Sequence, residues 1–126
     1  MEYEKVKINS FTDLNAWKEG HNLVLMVYRV INSFPSDEKF ALTSQIKRSA
    51  VSVTSNIAEG FSRKTKEDKN RFYFIAMGSL TELENQLIVA KDIKYLTEEK
   101  FYTIFEKIVV VRKLIKGLLK SSSTFK

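Results

Sequence analysis

The chain has 126 residues, of which 44% are hydrophobic, and it carries a formal net charge of +6. This length suits one domain with a single core; the hydrophobic content excludes a disordered chain, and four Gly and one Pro are too few for a many-stranded β-sandwich. The absence of cysteine excludes disulfides and thiolate metal sites and favours an intracellular, cytoplasmic protein.

The first helix is predicted to follow an N-terminal extension, residues 1–11, which lacks the apolar run of a secretory signal. Thr12 or Asp13 can cap its start, and it should end before Pro35, because the residue before a proline is pushed out of the helical conformation. Residues three and four positions apart predict its buried seam: Leu14, Trp17, His21, Val24, Tyr28 and Ile31.

The second helix is predicted to begin at Ser36, whose side chain can cap it, with acidic residues in the first turn where the helix dipole favours them. Gly60 is predicted to end the helix, because glycine accepts the left-handed conformation that is common at helix C-termini. The inward stripe comprises Leu42, Ile46, Ala50, Val53 and Ile57.

The third helix is predicted to run from a cap at Thr65, with Asp68 three residues later in the manner of a capping box, to about Lys94. Its seam comprises Phe72, Ile75 or Ala76, Ser79, Leu83, Leu87 and Ala90. Because helices in proteins are stabilised mainly by tertiary packing, these stripes also predict the core.

The fourth helix is predicted to follow a cap at Thr97 and to fray at residues 121–126, which form a tail. Its seam comprises Phe101, Ile104, Phe105, Ile108, Val111, Ile115 and Leu118. Short connections make neighbouring helices antiparallel. We therefore predict an all-α protein whose residues 12–120 form one antiparallel up-down-up-down four-helix bundle.

Helices two and three lack a well-solvated face. From residue 42 to residue 58 the only charges are Lys47 and Arg48, and residues 72–80 are apolar nearly all round. A helix covered on all sides is buried by more than its own bundle, so these helices are predicted to form a subunit interface, with irregular packing inside one bundle as the alternative. Gly78 would let a second backbone approach closely.

A polar stripe runs beside the apolar stripe on helix two and comprises Gln45, Arg48, Ser52, Asn56 and Glu59. The favoured interpretation is a set of buried groups that fix helix register and subunit pairing; the alternative is the lining of a ligand cleft or central channel. In so apolar a setting Arg48 needs a partner, which could be Glu82 or Glu84 of helix three or Glu59 of a neighbouring subunit.

Residues 42–53 (LTSQIKRSAVSV) and 56–61 (NIAEGF) resemble the signature of the four helix bundle proteins encoded in intervening sequences of bacterial 23S ribosomal RNA genes. Shorter segments are also similar: Phe11 to Lys18, Phe34-Pro35, Phe72 to Ala76 and Gly78 to Leu83. The resemblance implies a homo-oligomer, a pentamer, and similarity to accessory proteins of diversity-generating retroelements that bind nucleic acid. It implies no settled biochemical activity.

The positive charge is concentrated in two segments. Residues 62–71 hold five basic and two acidic side chains and residues 106–126 hold six and one, whereas the rest of the chain is slightly acidic. In an up-down-up-down bundle both segments reach the same end. The predicted basic pole comprises Arg63, Lys64, Lys66, Lys69, Arg71, Lys113, Lys116 and Lys120, and Lys5, Lys7 and Lys126 could join it.

A basic pole repeated around an oligomer suits a polyanion, because neutralised phosphates release counterions and multivalency raises affinity. We therefore expect RNA or DNA as a partner besides the chain itself, with structured RNA recognised by shape as the first candidate. Phe61, Phe72, Tyr73 and Phe125 could stack on unpaired bases, although Phe61 and Phe72 are better explained as core. The alternatives are cations that complement helix dipoles, or a protein-interaction scaffold with incidental charge.

No catalytic signature accompanies this charge. Di-iron bundles need Glu-x-x-His on two helices, whereas the single histidine, His21, is better explained as a seam residue with its polar tip satisfied. The chain has no glycine-rich phosphate loop, and its longest apolar stretch, residues 72–81, is far shorter than the roughly 20 residues of a membrane span. We expect a non-catalytic protein without cofactor, metal or membrane partner, and identify no small-molecule substrate.

Overall fold

The chain folds into four α-helices in the computed structural model, which describes residues 7–38 and 40–124 and, within the last helix, side chains as far as residue 121. Two short 3-10 turns, Phe11–Asp13 and Ser36–Glu38, precede the first and second helices. The helices are α1 (Asn15–Ile31), α2 (Leu42–Ser62), α3 (Lys66–Asp92) and α4 (Glu98–Thr124). They pack against one another in antiparallel order, which confirms the predicted all-α four-helix bundle.

The core consists of aliphatic side chains contributed by all four helices. Those without solvent exposure include Leu23, Val27, Ile46, Val53, Ile57, Leu80, Leu83, Leu87, Ile108, Val111 and Ile115. Each fully buried side chain of this size stabilises the fold by about 1.5–3 kcal/mol relative to an exposed one. The predicted stripes of α2 and α4 supply much of this core, although Leu42, Phe105 and Leu118 are only partly buried.

The buried face of α1 differs from the predicted seam. It comprises Ala16, Gly20, Leu23, Val27 and Ile31, while Tyr28 is 40% exposed and Trp17, His21 and Val24 are half-buried. The predicted seam is shifted by about one position. It was placed on large side chains such as Trp17, whereas at the contact with α2 the helix buries the small residues Ala16 and Gly20. A Cβ atom on Gly20 would lie 3.1 Å from Cγ2 of Thr54.

The seam of α3 is close to the prediction but begins differently. Tyr73 is buried where Phe72 was expected, and of the two alternatives Ala76 is buried whereas Ile75 is 46% exposed. Ser79, Leu83, Leu87 and Ala90 are buried as predicted. The start of α3 is therefore rotated so that Tyr73 faces α2.

Gly60 does not end α2 in a left-handed conformation. Helix α2 continues to Ser62, and no glycine within residues 7–38 and 40–124 has a positive φ. Glycine is required there because α3 passes very close: a Cβ at Gly60 would lie 2.6 Å from Cε1 of Tyr73 and 3.1 Å from the Lys69 carbonyl oxygen. Among the described residues, a left-handed conformation occurs instead at Lys94, with a φ of 72°, in the connection between α3 and α4.

The caps of α3 and α4 agree with the prediction. The Thr65 hydroxyl accepts a hydrogen bond from the backbone N–H of Asp68 at 3.2 Å, and the Thr97 hydroxyl accepts one from Lys100 at the same distance. These bonds satisfy backbone donors that have no partner inside a helix. The helix starts were therefore legible from threonine and the acidic residues after it.

The starts of α1 and α2 were predicted wrongly. Ser10, rather than Thr12 or Asp13, caps the first 3-10 turn, and the Asp13 carboxylate accepts backbone hydrogen bonds from Asn9 and Ser10 that lower its pKa. Ser36 begins a separate 3-10 turn, and α2 starts six residues later. At the start of α2 the Glu38 carboxylate accepts a hydrogen bond from the backbone N–H of Leu42 at 3.3 Å. Glu38, rather than Ser36, therefore satisfies a free backbone donor of this helix.

Candidate nucleic-acid interface

The connection between α2 and α3, the start of α1 and the last turns of α4 lie toward one end of the bundle, which we call the basic end. Leu14, at the start of α1, lines a shallow cleft with Leu114 and Leu118 of α4. Gly20 of α1 packs against Ile57 in the second half of α2. The chain topology thus directs both basic segments toward the same end.

An ion pair between Arg112 of α4 and Glu84 of α3, with an N–O distance of 2.8 Å, joins these two helices. Lys113, Lys116 and Lys120 follow Arg112 in the last turns of α4, and at a rise of about 1.5 Å per residue they span roughly 10 Å of that helix. The cations of the predicted basic pole come from two segments of the chain, and whether they act as one surface stays a prediction. We call Arg63, Lys64, Lys66, Lys69 and Arg71 the turn patch, and Lys113, Lys116 and Lys120 the α4 stripe.

Lys69 of the turn patch is engaged within the fold. Its Nζ donates to the Phe61 carbonyl oxygen at 2.8 Å and to that of Gly60 at 3.5 Å, and it lies 5.4 Å from the centre of the Phe61 ring. These carbonyls belong to the last turn of α2, where a cation complements the helix dipole. Burial lowers the pKa of this lysine. Lys69 is thus explained by helix capping.

The two arginines of the turn patch lie against Phe72. The Cζ atoms of Arg63 and Arg71 are 4.6 Å and 4.9 Å from the centre of its ring, distances at which a guanidinium is attracted to an aromatic face. Arg63 also pairs with Glu59 at 3.0 Å. Arg71 is exposed, so of the two it is the better placed to contact a phosphate.

Apart from Lys69, which bonds to backbone carbonyls, four lysines of the basic set have no ion pair with any carboxylate in the described part of the chain. They are Lys64 and Lys66 in the turn patch and Lys113 and Lys116 in the α4 stripe. All except the half-buried Lys66 are exposed, as is Lys120. Lys7 is also exposed, whereas Lys5, Lys126 and Phe125 lie outside the described residues.

The aromatic residues expected to stack on bases are mostly covered. Phe61 and Phe72 are half-buried beneath cations, and Tyr73 is buried, which raises the pKa of its hydroxyl. Phe74, which the sequence analysis did not single out, is 64% exposed. Its exposure could have been predicted from helix geometry, because residue 74 points away from the core when Tyr73 and Ala76 face it.

Two members of the polar stripe on α2 form side-chain hydrogen bonds: Ser52 bonds to α3, and Asn56 bonds to Ser52. The Ser52 and Ser79 hydroxyls form a hydrogen bond of 2.7 Å, and the Asn56 amide donates to the Ser52 carbonyl at 2.8 Å and to its hydroxyl at 3.1 Å. The Ser52–Ser79 bond joins the two helices inside one chain, and the role of the polar stripe in register and subunit pairing stays a prediction. Gln45, Arg48 and Glu59 remain exposed.

Arg48 does not form the ion pairs within the chain that were expected of it. Glu84 pairs with Arg112 instead, and within residues 7–38 and 40–124 no carboxylate lies within ion-pair distance of Arg48, Glu82 included. The side chain is exposed, so it is not forced to find a partner inside the bundle. The physical premise of the expectation, burial of Arg48, fails for the single chain.

An apolar strip is exposed on α3. Phe74 and Ile75 are 64% and 46% exposed, and a Cβ atom added to Gly78, one turn further on, would have nothing within 4 Å. Gly78 therefore makes no close contact within the chain. Val51 of α2 is also exposed.

The single histidine packs as a partly buried aromatic residue. The His21 ring stacks on Trp17 with 4.7 Å between the ring centres and 11° between the planes. Among the described residues, no group of three or more His, Cys, Asp or Glu side chains is placed to hold a metal ion. No helix in that same part of the chain has the length and apolar character needed to cross a membrane.

Comparison with known proteins identifies the family. The family described as "23S rRNA-intervening sequence protein" matches residues 12–117. No curated protein matches the chain. A solved structure of an S23 ribosomal protein family member of unknown function from Bacteroides thetaiotaomicron superposes with a TM-score of 0.77 at 22% identity, covering 83% of this chain and 95% of that one, and so shares its fold. The chain belongs to the family of 23S rRNA-intervening sequence proteins.

Proposed function

We propose that this protein is a non-catalytic, homo-oligomeric accessory protein that binds structured RNA through the turn patch and the α4 stripe. The observation that carries the proposal is that four lysines at the basic end have no carboxylate partner among the described residues and, unlike Lys69, no bond to a backbone carbonyl: Lys64, Lys66, Lys113 and Lys116. Cations needed by the fold have found partners, as Lys69 and Arg63 have. The four lysines Lys64, Lys66, Lys113 and Lys116 are free to neutralise phosphates.

RNA is the first polyanion to consider. The family name associates its members with 23S rRNA intervening sequences. The cations come from two elements, the turn patch and the α4 stripe, and a folded RNA is favoured because a rigid helix presents phosphates to several cations of a surface at once. None of the exposed cations suggests a base-specific contact at this end, so recognition would depend on shape and charge.

Self-association is the second part of the proposal, and the exposed strip of Phe74, Ile75 and Gly78 on α3 supports it. Exposed apolar side chains that adjoin one another indicate a surface that another molecule covers. A second copy of the chain fits because Gly78 leaves room for a neighbouring backbone. A pentamer, the state implied by the family resemblance, would repeat the basic end five times and raise RNA affinity through multivalency.

Fluorescence anisotropy at low ionic strength tests the RNA part of the proposal. A hairpin, a duplex and an unstructured single strand with equal numbers of phosphates should be compared. We expect the hairpin and duplex to bind more tightly than the single strand. Absence of binding to all three would leave the protein-interaction scaffold as the better explanation of the exposed strip.

A further inference from the structure

A cleft of about 420 Å³ opens between the start of α2 and the second half of α3. This volume is in the range of roughly 300–1,000 Å³ that is usual for small-molecule sites. We call it the α2–α3 cleft, and its wall includes Phe40, Arg48, Glu82 and Gln86. No member of the turn patch or of the α4 stripe lines it, so it is separate from the proposed RNA surface.

The polar groups of the α2–α3 cleft are not paired with one another. In the described part of the chain, neither Arg48 nor Glu82 has an ion-pair partner, although both line the same cleft. Glu84, two residues after Glu82, is paired with Arg112. The cleft thus presents a cation and a carboxylate that are both open to a ligand.

Gln86 adds a buried acceptor to this wall. Its side chain is only 9% exposed, and its Oε1 has no hydrogen-bond donor among the described residues. A buried carbonyl oxygen without a donor is costly, and a ligand N–H would satisfy it. The cleft therefore offers donors on one side, from Arg48, and acceptors on the other, from Glu82 and Gln86.

We propose that the α2–α3 cleft binds a guanine base, either from an unpaired nucleotide of RNA or from a free nucleotide. The O6 and N7 atoms of guanine accept two hydrogen bonds from one guanidinium, which Arg48 can supply. The N1–H and N2–H groups on the adjacent edge need acceptors, which Glu82 and Gln86 provide. Phe40, 89% exposed at the same cleft, offers a ring on which the base can stack.

The same groups discriminate against adenine. Adenine presents an N6 amino donor where guanine has O6, and this donor would face the Arg48 guanidinium. Adenine also lacks the N1–H group whose hydrogen bond Glu82 would accept. A site with fixed donors and acceptors rejects a ligand that leaves them unpaired. The inference goes beyond the proposed function, because it adds selection of one base at a site separate from the basic end.

Calorimetric titration of the full chain with guanosine, inosine and adenosine tests this site, because the three nucleosides carry no phosphate that Arg48 could attract. We expect guanosine to bind, inosine, which lacks the N2 amino group, to bind about tenfold more weakly, and adenosine to show no binding. Arg48→Gln and Glu82→Gln should each weaken guanosine binding about tenfold or more. Lys47→Gln, which removes the same charge outside the cleft, should leave it unchanged.

Equal binding of adenosine and guanosine would overturn the proposal. Failure of guanosine to bind would also overturn it. If guanosine does not bind and Arg48→Gln changes the mass in light scattering, the cleft is a subunit contact instead. Guanosine 5′-monophosphate and an RNA with one unpaired guanine then separate the two sources of the base. The triple variant K113Q/K116Q/K120Q should lose RNA affinity and keep guanosine binding, so the two proposals can fail separately.

Discussion

Gly60 shows at the scale of one residue how tightly α2 and α3 pack. We expect Gly60→Ala to destabilise the protein by about 1–2 kcal/mol, because the clash with Tyr73 and the Lys69 backbone outweighs a helix-propensity gain of about 1 kcal/mol. Urea unfolding measures this change. The control is Gly117→Ala on α4, where a Cβ atom meets nothing within 4 Å, and it should be neutral or stabilising. A stabilised Gly60→Ala would mean that α2 and α3 lie further apart.

Tyr73 gives a prediction about pH. Burial raises the pKa of its hydroxyl above the ordinary value, so the folded chain holds a proton that the unfolded chain releases first. Its contribution to stability is therefore fully present below about pH 10 and is lost as the pH rises through the folded pKa. Thermal unfolding between pH 8 and 11 should show a smaller decline for Tyr73→Phe, which keeps the ring. An equal decline in both proteins would mean that Tyr73 ionises as easily folded as unfolded.

The roles of Gly60 and Tyr73 could not be predicted from the sequence alone. Glycine near a helix C-terminus most often adopts a left-handed conformation, and nothing local indicates that a tyrosine of another helix lies against it. The caps at Thr65 and Thr97 were predictable because their partners lie three residues away. Hydrogen bonds between residues close in the chain can be predicted from the sequence, whereas contacts between helices depend on how the helices pack.

At the scale of the elements, helical stripes were predictable where one type of side chain repeats. Aliphatic residues three and four positions apart define α2 and α4 without ambiguity. In α1 the large residues Trp17 and Tyr28 form a rival stripe, while the helix buries the small residues Ala16 and Gly20. A prediction that places the largest apolar side chains in the core therefore selects the wrong face of a helix whose close contact needs small side chains.

The exposed strip on α3 yields a prediction about assembly. Phe74→Ser combined with Ile75→Ser should reduce the mass in light scattering from about five times 14.6 kDa toward that of one chain, with helix content retained because neither side chain is buried. The control replaces Tyr102 and Val110, exposed residues of α4, by serine and should leave the mass unchanged. A wild-type mass near 14.6 kDa would contradict self-association, and an unchanged variant would place the interface elsewhere.

At the scale of the whole molecule, the sequence predicted which end is basic but not how the cations are spread along it. Short connections and an antiparallel order direct residues 62–71 and 106–126 to one end. How close the cations of the two segments lie to one another depends on how α4 packs against its neighbours, and the ion pair of Arg112 with Glu84 is one contact in that packing. A pairing across two helices cannot be read from one sequence, since several glutamates could serve equally well.

The most direct test of RNA binding by the basic end is the salt dependence of hairpin RNA affinity in two variants of equal charge. K113Q/K116Q/K120Q removes the α4 stripe, and R29Q/K47Q/K100Q removes three cations toward the other end of the bundle. The first should weaken binding and lower the slope of log affinity against log salt by about 0.7–0.9 for each lost phosphate contact. The second should change neither. Equal effects of the two variants, or an unchanged slope in the first, would contradict the account.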